Sequence, residues 1–155
     1  MPIIRHTNSL DAPWTHRAAK GKFEYEKQNL ITESEAKQCV AALLKIPPKM
    51  AGYPYHYHIL DEECFFILSG TGILRSPEGE QEVNAGDFLF FPRGETGAHM
   101  LTNASETEPL IYLDFDTAND PEICFYPDSQ KIGVWGEGIN QLYFTKDKAE
   151  YFDGE

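Results

Sequence analysis

The sequence predicts an all-β fold, a barrel of two packed antiparallel sheets of the jelly-roll (double-stranded β-helix) type. The first observation is a series of short apolar or alternating segments, separated at regular spacing by turns that contain Gly and Pro. The second is a composition of 41% hydrophobic and 13% aromatic residues, which is typical of a folded, strand-rich chain. The length of 155 residues, without an internal repeat, indicates one domain. Within it we predict an N-terminal arm over 1–22, a barrel over 23–115 and a C-terminal extension over 116–155.

The N-terminal part of the chain is predicted to be an arm followed by a strand. Residues 1–22 contain scattered prolines and polar residues, so we expect an irregular arm. Trp14 is expected to anchor this arm, either on the sheet or on a second subunit. Residues 23–26 alternate apolar and charged side chains, as a half-buried strand does.

The segment that follows fits two kinds of element. Ala36, Val40 and Leu44 lie at a spacing that suits one face of a helix. Pro47 and Pro48 would end any such helix, and the segment leads directly into the motif described below. The family pattern that this region resembles requires a strand leading to Gly52, so we predict a strand over 39–46.

The central region is predicted to form the remaining strands of the barrel, separated by short turns that contain Gly or Pro. The run over 88–92 is expected to be buried, because it is continuously apolar. The predicted strands are residues 53–59, 63–69, 73–76, 81–84, 88–92, 99–103 and 110–115.

Three histidines and one glutamate in this region are spaced as metal ligands. His56 and His58 are two residues apart, so in a strand their side chains lie on the same face. Glu63 follows on the next strand, after a polar turn, and His99 can approach these residues only if the sheets close into a barrel. Imidazole nitrogens with one carboxylate oxygen are an ordinary ligand set for a first-row divalent metal.

The ligands and the glycines around them resemble the two motifs of the cupin superfamily. The first motif, G-x5-H-x-H-x3,4-E-x6-G, is matched except that Gly52 lies two residues too close to His56. The second, G-x5-P-x-G-x2-H-x3-N, is matched except for two extra residues before His99. The matching positions are Gly52, His56, His58, Glu63 and Gly70, then Gly86, Pro92, Gly94, His99 and Asn103.

The resemblance implies one divalent transition metal ion per chain, Fe, Mn, Ni or Zn, held by His56, His58, Glu63 and His99. The motif spacing allows either Glu62 or Glu63 as the carboxylate ligand. The six residues between Glu63 and Gly70, and the parity that Glu63 shares with Phe65, favour Glu63.

Other residues are candidates for substrate binding. Phe65, Ile67 and Leu101 share the parity of the ligands and are expected to form an apolar pocket wall. Arg75 and Arg93 are the cationic candidates within the barrel, and Arg93 is expected nearer its mouth.

The stretch from Tyr126 to Lys131, Y-P-D-S-x-K, resembles one found in a subgroup of uncharacterised bacterial cupins, some of which are labelled sugar-phosphate isomerases. Asp128, Ser129 and Lys131 are expected either to reach over the barrel mouth or a dimer interface, or to form a turn that packs the tail.

Charge and cysteine content limit the partners and the compartment. The net charge is −12, and residues 51–155 carry twenty acidic and only five basic side chains, so nucleic acid is not expected as a partner. Cys39, Cys64 and Cys124 form no C-x-x-C pair, which favours a reducing cytoplasm, and Cys64 is expected to face away from the metal ligands. No signal peptide or membrane span is expected, because the apolar runs are short.

The predicted function is that of a metal-dependent enzyme acting on a small sugar, sugar phosphate or organic acid, of isomerase or epimerase type. Three imidazoles and one carboxylate leave coordination positions open for a substrate, as catalytic sites do. The alternatives are a mononuclear Fe or Mn dioxygenase and a non-catalytic module that binds a metal or a small ligand. The N-terminal arm and the need to cover exposed sheet edges favour a homodimer.

Overall fold

The computed structural model describes residues 2–8, 12–19, 21–32 and 34–155, and their regular structure is almost entirely β-strand. Two short 3-10 helices cover Glu95–Gly97 and Pro127–Ser129. None of the helices in the described part of the chain has the length and apolar character that a membrane span requires. The strands are β1 Thr15–Ala18, β2 Glu24–Ile31, β3 Cys39–Ile46, β4 Tyr57–His58, β5 Glu63–Ser69, β6 Thr71–Ser76, β7 Gly79–Asn84, β8 Phe88–Phe91, β9 Met100–Asn103, β10 Leu110–Thr117, β11 Glu122–Tyr126, β12 Lys131–Gly136 and β13 Ile139–Phe144.

The strands form two layers. One layer is a six-stranded sheet with the order β1-β2-β3-β10-β5-β8. The other contains a four-stranded sheet, β13-β12-β11-β4, and a three-stranded sheet, β7-β6-β9. Single bridges, Ala51 with Thr102 and His56 with His99, connect the loop before β4 to the β9 segment. All of these strand pairs are antiparallel, which confirms the predicted double-sheet barrel.

The core lies between the layers and is filled by alternate residues of the central strands. Leu44 and Ile46 of β3, Ile67 of β5 and Leu110 of β10 are fully buried. Tyr112 packs among them and is 1% exposed. Because side chains alternate faces along a strand, this register also fixes which residues of β5 and β10 point into the barrel.

The N-terminal segment is more regular than the sequence indicates. Within residues 1–22, Thr15–Ala18 form β1 and pair with β2 at the end of the six-stranded sheet. Trp14 lies against this sheet, with the Lys45 ammonium 5.6 Å from its ring centroid. The predicted strand over 39–46 is confirmed, because β3 spans Cys39–Ile46.

Two predictions about the central strands are wrong in part. A strand was expected over 53–59, but only Tyr57–His58 form one, and His56 pairs with the chain through a single bridge. The run over 88–92 was expected to be buried, but Phe88 and Phe90 are 64% and 53% exposed. The edge strand β8 turns these two rings outward while Phe91 faces the core.

The C-terminal extension is part of the second layer. β11 pairs with β4, with Cys124 opposite His58, and β12 and β13 continue the same sheet. The extension therefore supplies one wall beside the predicted ligands.

Candidate metal and substrate site

The strand pairing brings His56 and His99 together. The two residues form an antiparallel bridge in which each backbone N–H donates to the other residue's carbonyl, at 3.1 and 2.9 Å. Their rings are 4.7 Å apart between centroids, and the ring of His58 is 5.1 Å from that of His56. Residues 43 positions apart in the chain therefore meet at one point inside the barrel.

Glu63 completes the cluster from β5. Its Oε2 lies 2.9 Å from His99 Nε2 and 3.6 Å from His58 Nε2. Candidate ligand atoms of His56, Glu63 and His99 all lie within 4.8 Å of one another. The structure thus brings all four predicted ligands together, whereas the neighbouring Glu62 is exposed.

Backbone carbonyls fix the orientation of the two buried imidazoles. His56 Nδ1 is 2.8 Å from the Pro54 oxygen and His99 Nδ1 is 2.9 Å from the Gly97 oxygen. Since a carbonyl only accepts, both Nδ1 atoms carry a proton, and in the neutral imidazole each Nε2 then presents a lone pair. A side chain at Gly97 is excluded, because its Cβ would lie 1.8 Å from the Pro92 oxygen.

The donor set fits a divalent transition metal. His99 Nε2 and Glu63 Oε2 are buried and, although 2.9 Å apart, form no hydrogen bond with each other or with another group. Unpaired buried polar atoms carry a free-energy cost. Neutral imidazoles held by Nδ1–H to carbonyl bonds are the usual form of histidine ligands. The residues therefore suit an ion at this position, as the sequence predicts.

His58 is held from the opposite side by β11. Its Nδ1 is 3.3 Å from Cys124 Sγ and 3.6 Å from Glu122 Oε1. The Glu122 carboxylate also accepts hydrogen bonds from the backbone N–H groups of Ile59 and Leu60. β11 thus fixes both the His58 ring and the turn that leads to Glu63.

Burial and neighbouring charges perturb the pKa values of the cluster in different directions. Burial and the adjacent His99 lower the pKa of His56 to about 3, so its imidazole is neutral at physiological pH. Burial alone would lower the pKa of His58, but Cys124, Glu122 and Glu63 outweigh it and raise that pKa above its ordinary value. Burial would raise the pKa of Glu63, but the neighbouring histidines hold it well below its usual range.

Two acidic residues of β10 join Glu63 at the same place. Asp114 and Asp116 approach Glu63 so closely that carboxylate oxygens of all three lie within 4.8 Å of one another. Burial, followed by the charge of Glu63, raises the pKa of Asp114 to about 8. Burial, followed by the charge of Asp114, raises the pKa of Asp116 to about 11.

Three members of the cluster, His56, His58 and Glu63, line a cavity of about 680 Å³, a volume in the range of small-molecule sites, and His99 lies buried behind them. Three cationic side chains, Arg17, Lys27 and Lys131, line it. Other polar and aromatic residues in the lining are Tyr25, Tyr53, Asp114, Asp116, Cys124, Tyr126 and Trp135.

The predicted substrate residues lie elsewhere. Phe65, Ile67 and Leu101 are at most 3% exposed and pack in the core beneath the cluster instead of lining the cavity. Phe65 supports the site from below, with its ring edge-on to that of His99 at 5.4 Å. Arg93 is exposed and does not line the cavity, and Arg75 forms a bidentate pair with Asp128 outside it.

The residues of the tail motif, 126–131, lie partly in the cavity and partly outside it. Lys131 lines the cavity, whereas Asp128 binds Arg75 and Ser129 is exposed in a 3-10 turn. The expected reach over the cavity therefore holds for Lys131 alone among the three.

Several cavity residues were missed by the sequence analysis. Asp114 and Asp116 share the parity of the buried Tyr112, so acidic side chains on the inner face of a strand were a usable signal. Arg17 and Lys27 gave no such signal, because their approach depends on how β1 and β2 pair with the sheet.

An antiparallel double-sheet barrel with three histidines and one glutamate converging at its interior is the class of protein that the fold and the candidate site define. Comparison with protein families identifies this class: residues 42–116 match the family described as the cupin domain, so this part of the chain is a cupin domain.

Known structures of several activities share the fold. One is a protein from Acidithiobacillus ferrooxidans with a provisional name as a sugar phosphate isomerase; it is 26% identical over 81% of this chain and 80% of its own, with a TM-score of 0.70. A cupin-superfamily sugar phosphate isomerase from Silicibacter pomeroyi is 19% identical over 94% of this chain and 96% of its own, with a TM-score of 0.79. A polyketide cyclase from Streptomyces resistomycificus is 22% identical over 76% of this chain and 81% of its own, with a TM-score of 0.62. No curated protein sequence matches the chain.

Proposed function

We propose that this protein is a metal-dependent enzyme of isomerase or epimerase type that acts on a small anionic sugar derivative. The observation that carries the proposal is the position of the His₃Glu cluster, beside a cavity of about 680 Å³ that cationic side chains also line. The similarity to the Acidithiobacillus protein, which extends over four fifths of both chains, supports the isomerase class.

In this proposal His56, His58, Glu63 and His99 hold one divalent ion, Fe, Mn, Ni or Zn. Such an ion would supply a Lewis acid for the carbonyl oxygen of a sugar. The backbone acceptors at Pro54 and Gly97 keep two of the imidazoles in the ligating tautomer. Cys124 and Glu122 hold the third.

Arg17, Lys27 and Lys131 provide the specificity for an anionic group. Lys131 is half-buried, and its ammonium lies 5.6 Å from the ring centroid of Tyr126. Tyr126 in turn stacks on His56, with 5.9 Å between ring centroids. Lys131 is thus connected to the proposed ligand His56 through the ring of Tyr126.

Proton exchange tests the proposed chemistry. Isomerisation and epimerisation both break a C–H bond beside a carbonyl or hydroxyl group. When the hydrogen leaves as a proton and a proton returns from solvent, the substrate incorporates deuterium in D₂O, and the same spectra show any new isomer or epimer. Chelator-treated protein would be reloaded with Fe(II), Mn, Ni or Zn separately and incubated with a panel of aldose and ketose phosphates. NMR would then follow the loss of the substrate C–H signal.

We expect exchange with at least one sugar phosphate and metal, abolished by chelation. In Lys131→Met the KM should rise roughly tenfold or more with kcat little changed, as expected when a charge-assisted contact that binds the substrate is lost. Lys146→Met is the matched control, because Lys146 also lies over an aromatic ring, that of Phe144 at 5.5 Å, but outside the cavity.

The same incubations separate the alternatives. Oxygen uptake that depends on Fe or Mn, without deuterium incorporation, would replace the proposal with a dioxygenase. Bound metal with no isomer or epimer formed, no exchange and no oxygen uptake would leave a non-catalytic binding module.

The assembly and location are part of the same proposal. We expect a homodimer, with the outer apolar face of the six-stranded sheet as its contact, and a single cupin domain over residues 1–155. The cytoplasmic location stays a prediction from the three unpaired thiols, Cys39, Cys64 and Cys124.

A further inference from the structure

A group of three carboxylates lies directly beside the His₃Glu cluster. Asp114 and Asp116 are two residues apart on β10, so both side chains point to the inner face of the sheet. The register places Asp116 opposite Glu63 on β5 and Asp114 opposite Phe65. Carboxylate oxygens of Glu63, Asp114 and Asp116 come within 4.8 Å of one another.

The two aspartates have oxygens that nothing in the described structure satisfies. Asp114 is 3% exposed, and its Oδ1 and that of Asp116 are buried without a hydrogen-bond partner. The ion pairs of lysine and arginine side chains in the described part of the chain are formed with other carboxylates. Both aspartates line the 680 Å³ cavity, so the carboxylate group adjoins the space that a substrate would occupy.

We propose that Glu63, Asp114 and Asp116 bind a second divalent cation, which Glu63 bridges to the ion held by the histidines. Carboxylate oxygens that converge without protein donors are the environment that hard divalent cations require. The two positions differ in chemistry: three imidazoles select a softer transition metal, while an all-oxygen set selects Mg²⁺ or Mn²⁺.

The position of Glu63 is what joins the two sites. Its Oε2 faces His99 and His58, and the same side chain belongs to the carboxylate group. A carboxylate has two oxygens and about four lone-pair positions, so it can serve two cations at once. Paired cations about 3.5–4 Å apart, bridged in this way, are a known arrangement for activating oxygen-rich substrates.

The test uses metal-stripped full-length protein that has first received one equivalent of Zn²⁺ and been dialysed. Mn²⁺ is then titrated, and EPR measures the free ion. We expect about one additional Mn²⁺ per chain in the wild type, and affinity lowered roughly tenfold or more in Asp116→Asn. Asp147→Asn, a change of an exposed aspartate outside the cavity, should bind the additional Mn²⁺ like the wild type.

A second measurement needs no variant of the carboxylates. When two equivalents of Mn²⁺ replace the Zn²⁺, ions bridged by Glu63 should be spin-coupled, so the six-line spectrum of isolated Mn²⁺ should be lost. The proposal is overturned if no additional Mn²⁺ binds, if Asp116→Asn retains it with unchanged affinity, or if the spectrum equals that of two isolated ions.

The outcome is separable from that of the proposed function. His56→Ala should lose the Zn²⁺ and keep a Mn²⁺ site that depends on Asp116. Wild-type protein that binds no Zn²⁺ but does bind Mn²⁺ at Asp116 would contradict the proposed transition-metal site and support the carboxylate site.

Discussion

Two backbone carbonyls determine what the buried imidazoles can do. Because Pro54 and Gly97 accept from Nδ1 of His56 and His99, the opposite nitrogens of the neutral rings have lone pairs in a buried space. A hydrogen-bonded core histidine would have both nitrogens satisfied, whereas here His99 Nε2 makes no hydrogen bond. The local backbone therefore orients the imidazoles of His56 and His99 as metal ligands, and the closure of the barrel places them beside Glu63.

The orientation of a single side chain also distinguishes Glu63 from Glu62 as the carboxylate ligand. The parity argument predicts Glu63, and in the structure Glu63 is 4% exposed beside the histidines. Glu62 faces outward, and its backbone N–H donates to Thr117 Oγ1 instead. Glu62→Ala is therefore a matched control for the effect of Glu63→Ala on metal content.

At the scale of an element, β5 divides its functions between its two faces. Glu63, Phe65 and Ile67 point inward, while Phe66 and Leu68 are 39% and 45% exposed. The inward apolar residues support the cluster from below, so their loss should act through stability instead of through direct contact with substrate.

We expect Ile67→Ala to lower the free energy of unfolding by about 2–5 kcal/mol, because it removes a fully buried side chain and leaves a cavity. Leu68→Ala, on the same strand but the outer face, should cost less than about 1 kcal/mol. Urea unfolding of both variants at equal protein concentration would measure the difference. Equal losses would show that Ile67 is not in the core.

The strands were largely predictable and the cavity was not. The bounds of β5 follow from alternation and from the turns beside it, and the end of β3 follows from Pro47 and Pro48. Phe88 and Phe90 were misplaced, since a short apolar run does not reveal whether one face or both are buried.

The His₃Glu cluster was predictable because its members lie in two compact motifs. Arg17, Lys27 and the β10 aspartates come from strands far apart in the chain, and only the sheet order β2-β3-β10-β5 brings them near the cluster. Phe65 and Ile67 were correctly expected to face inward. Parity does not show, however, whether an inward side chain lines the cavity or packs in the core behind the ligands.

At the scale of the whole molecule, the outer face of the six-stranded sheet is the feature that bears on assembly. Cross-strand partners Phe66 and Phe88, with Phe90 and Phe115 nearby, place four large exposed rings on β5, β8 and β10. β8 is also an edge strand of this sheet. Exposed apolar patches next to a free edge commonly mark an interface, and a two-fold contact between two copies would cover both patches.

Light scattering should accordingly return about twice the chain mass of 17.6 kDa. Phe90→Asp should shift the protein towards the monomer, because it places a charge in the contact. Phe144→Asp is the matched control, since Phe144 is 51% exposed on a different sheet and Phe90 is 53% exposed. A single-chain mass for the wild type at working concentration would contradict the dimer.

The central claim, a transition metal held by the His₃Glu cluster, is tested most directly by elemental analysis of protein purified without an affinity tag. We predict about one Fe, Mn, Ni or Zn per chain in the wild type and in Glu62→Ala, and loss of that ion in Glu63→Ala and His58→Ala. Wild-type protein that holds no such ion, even after anaerobic reconstitution, would contradict the account.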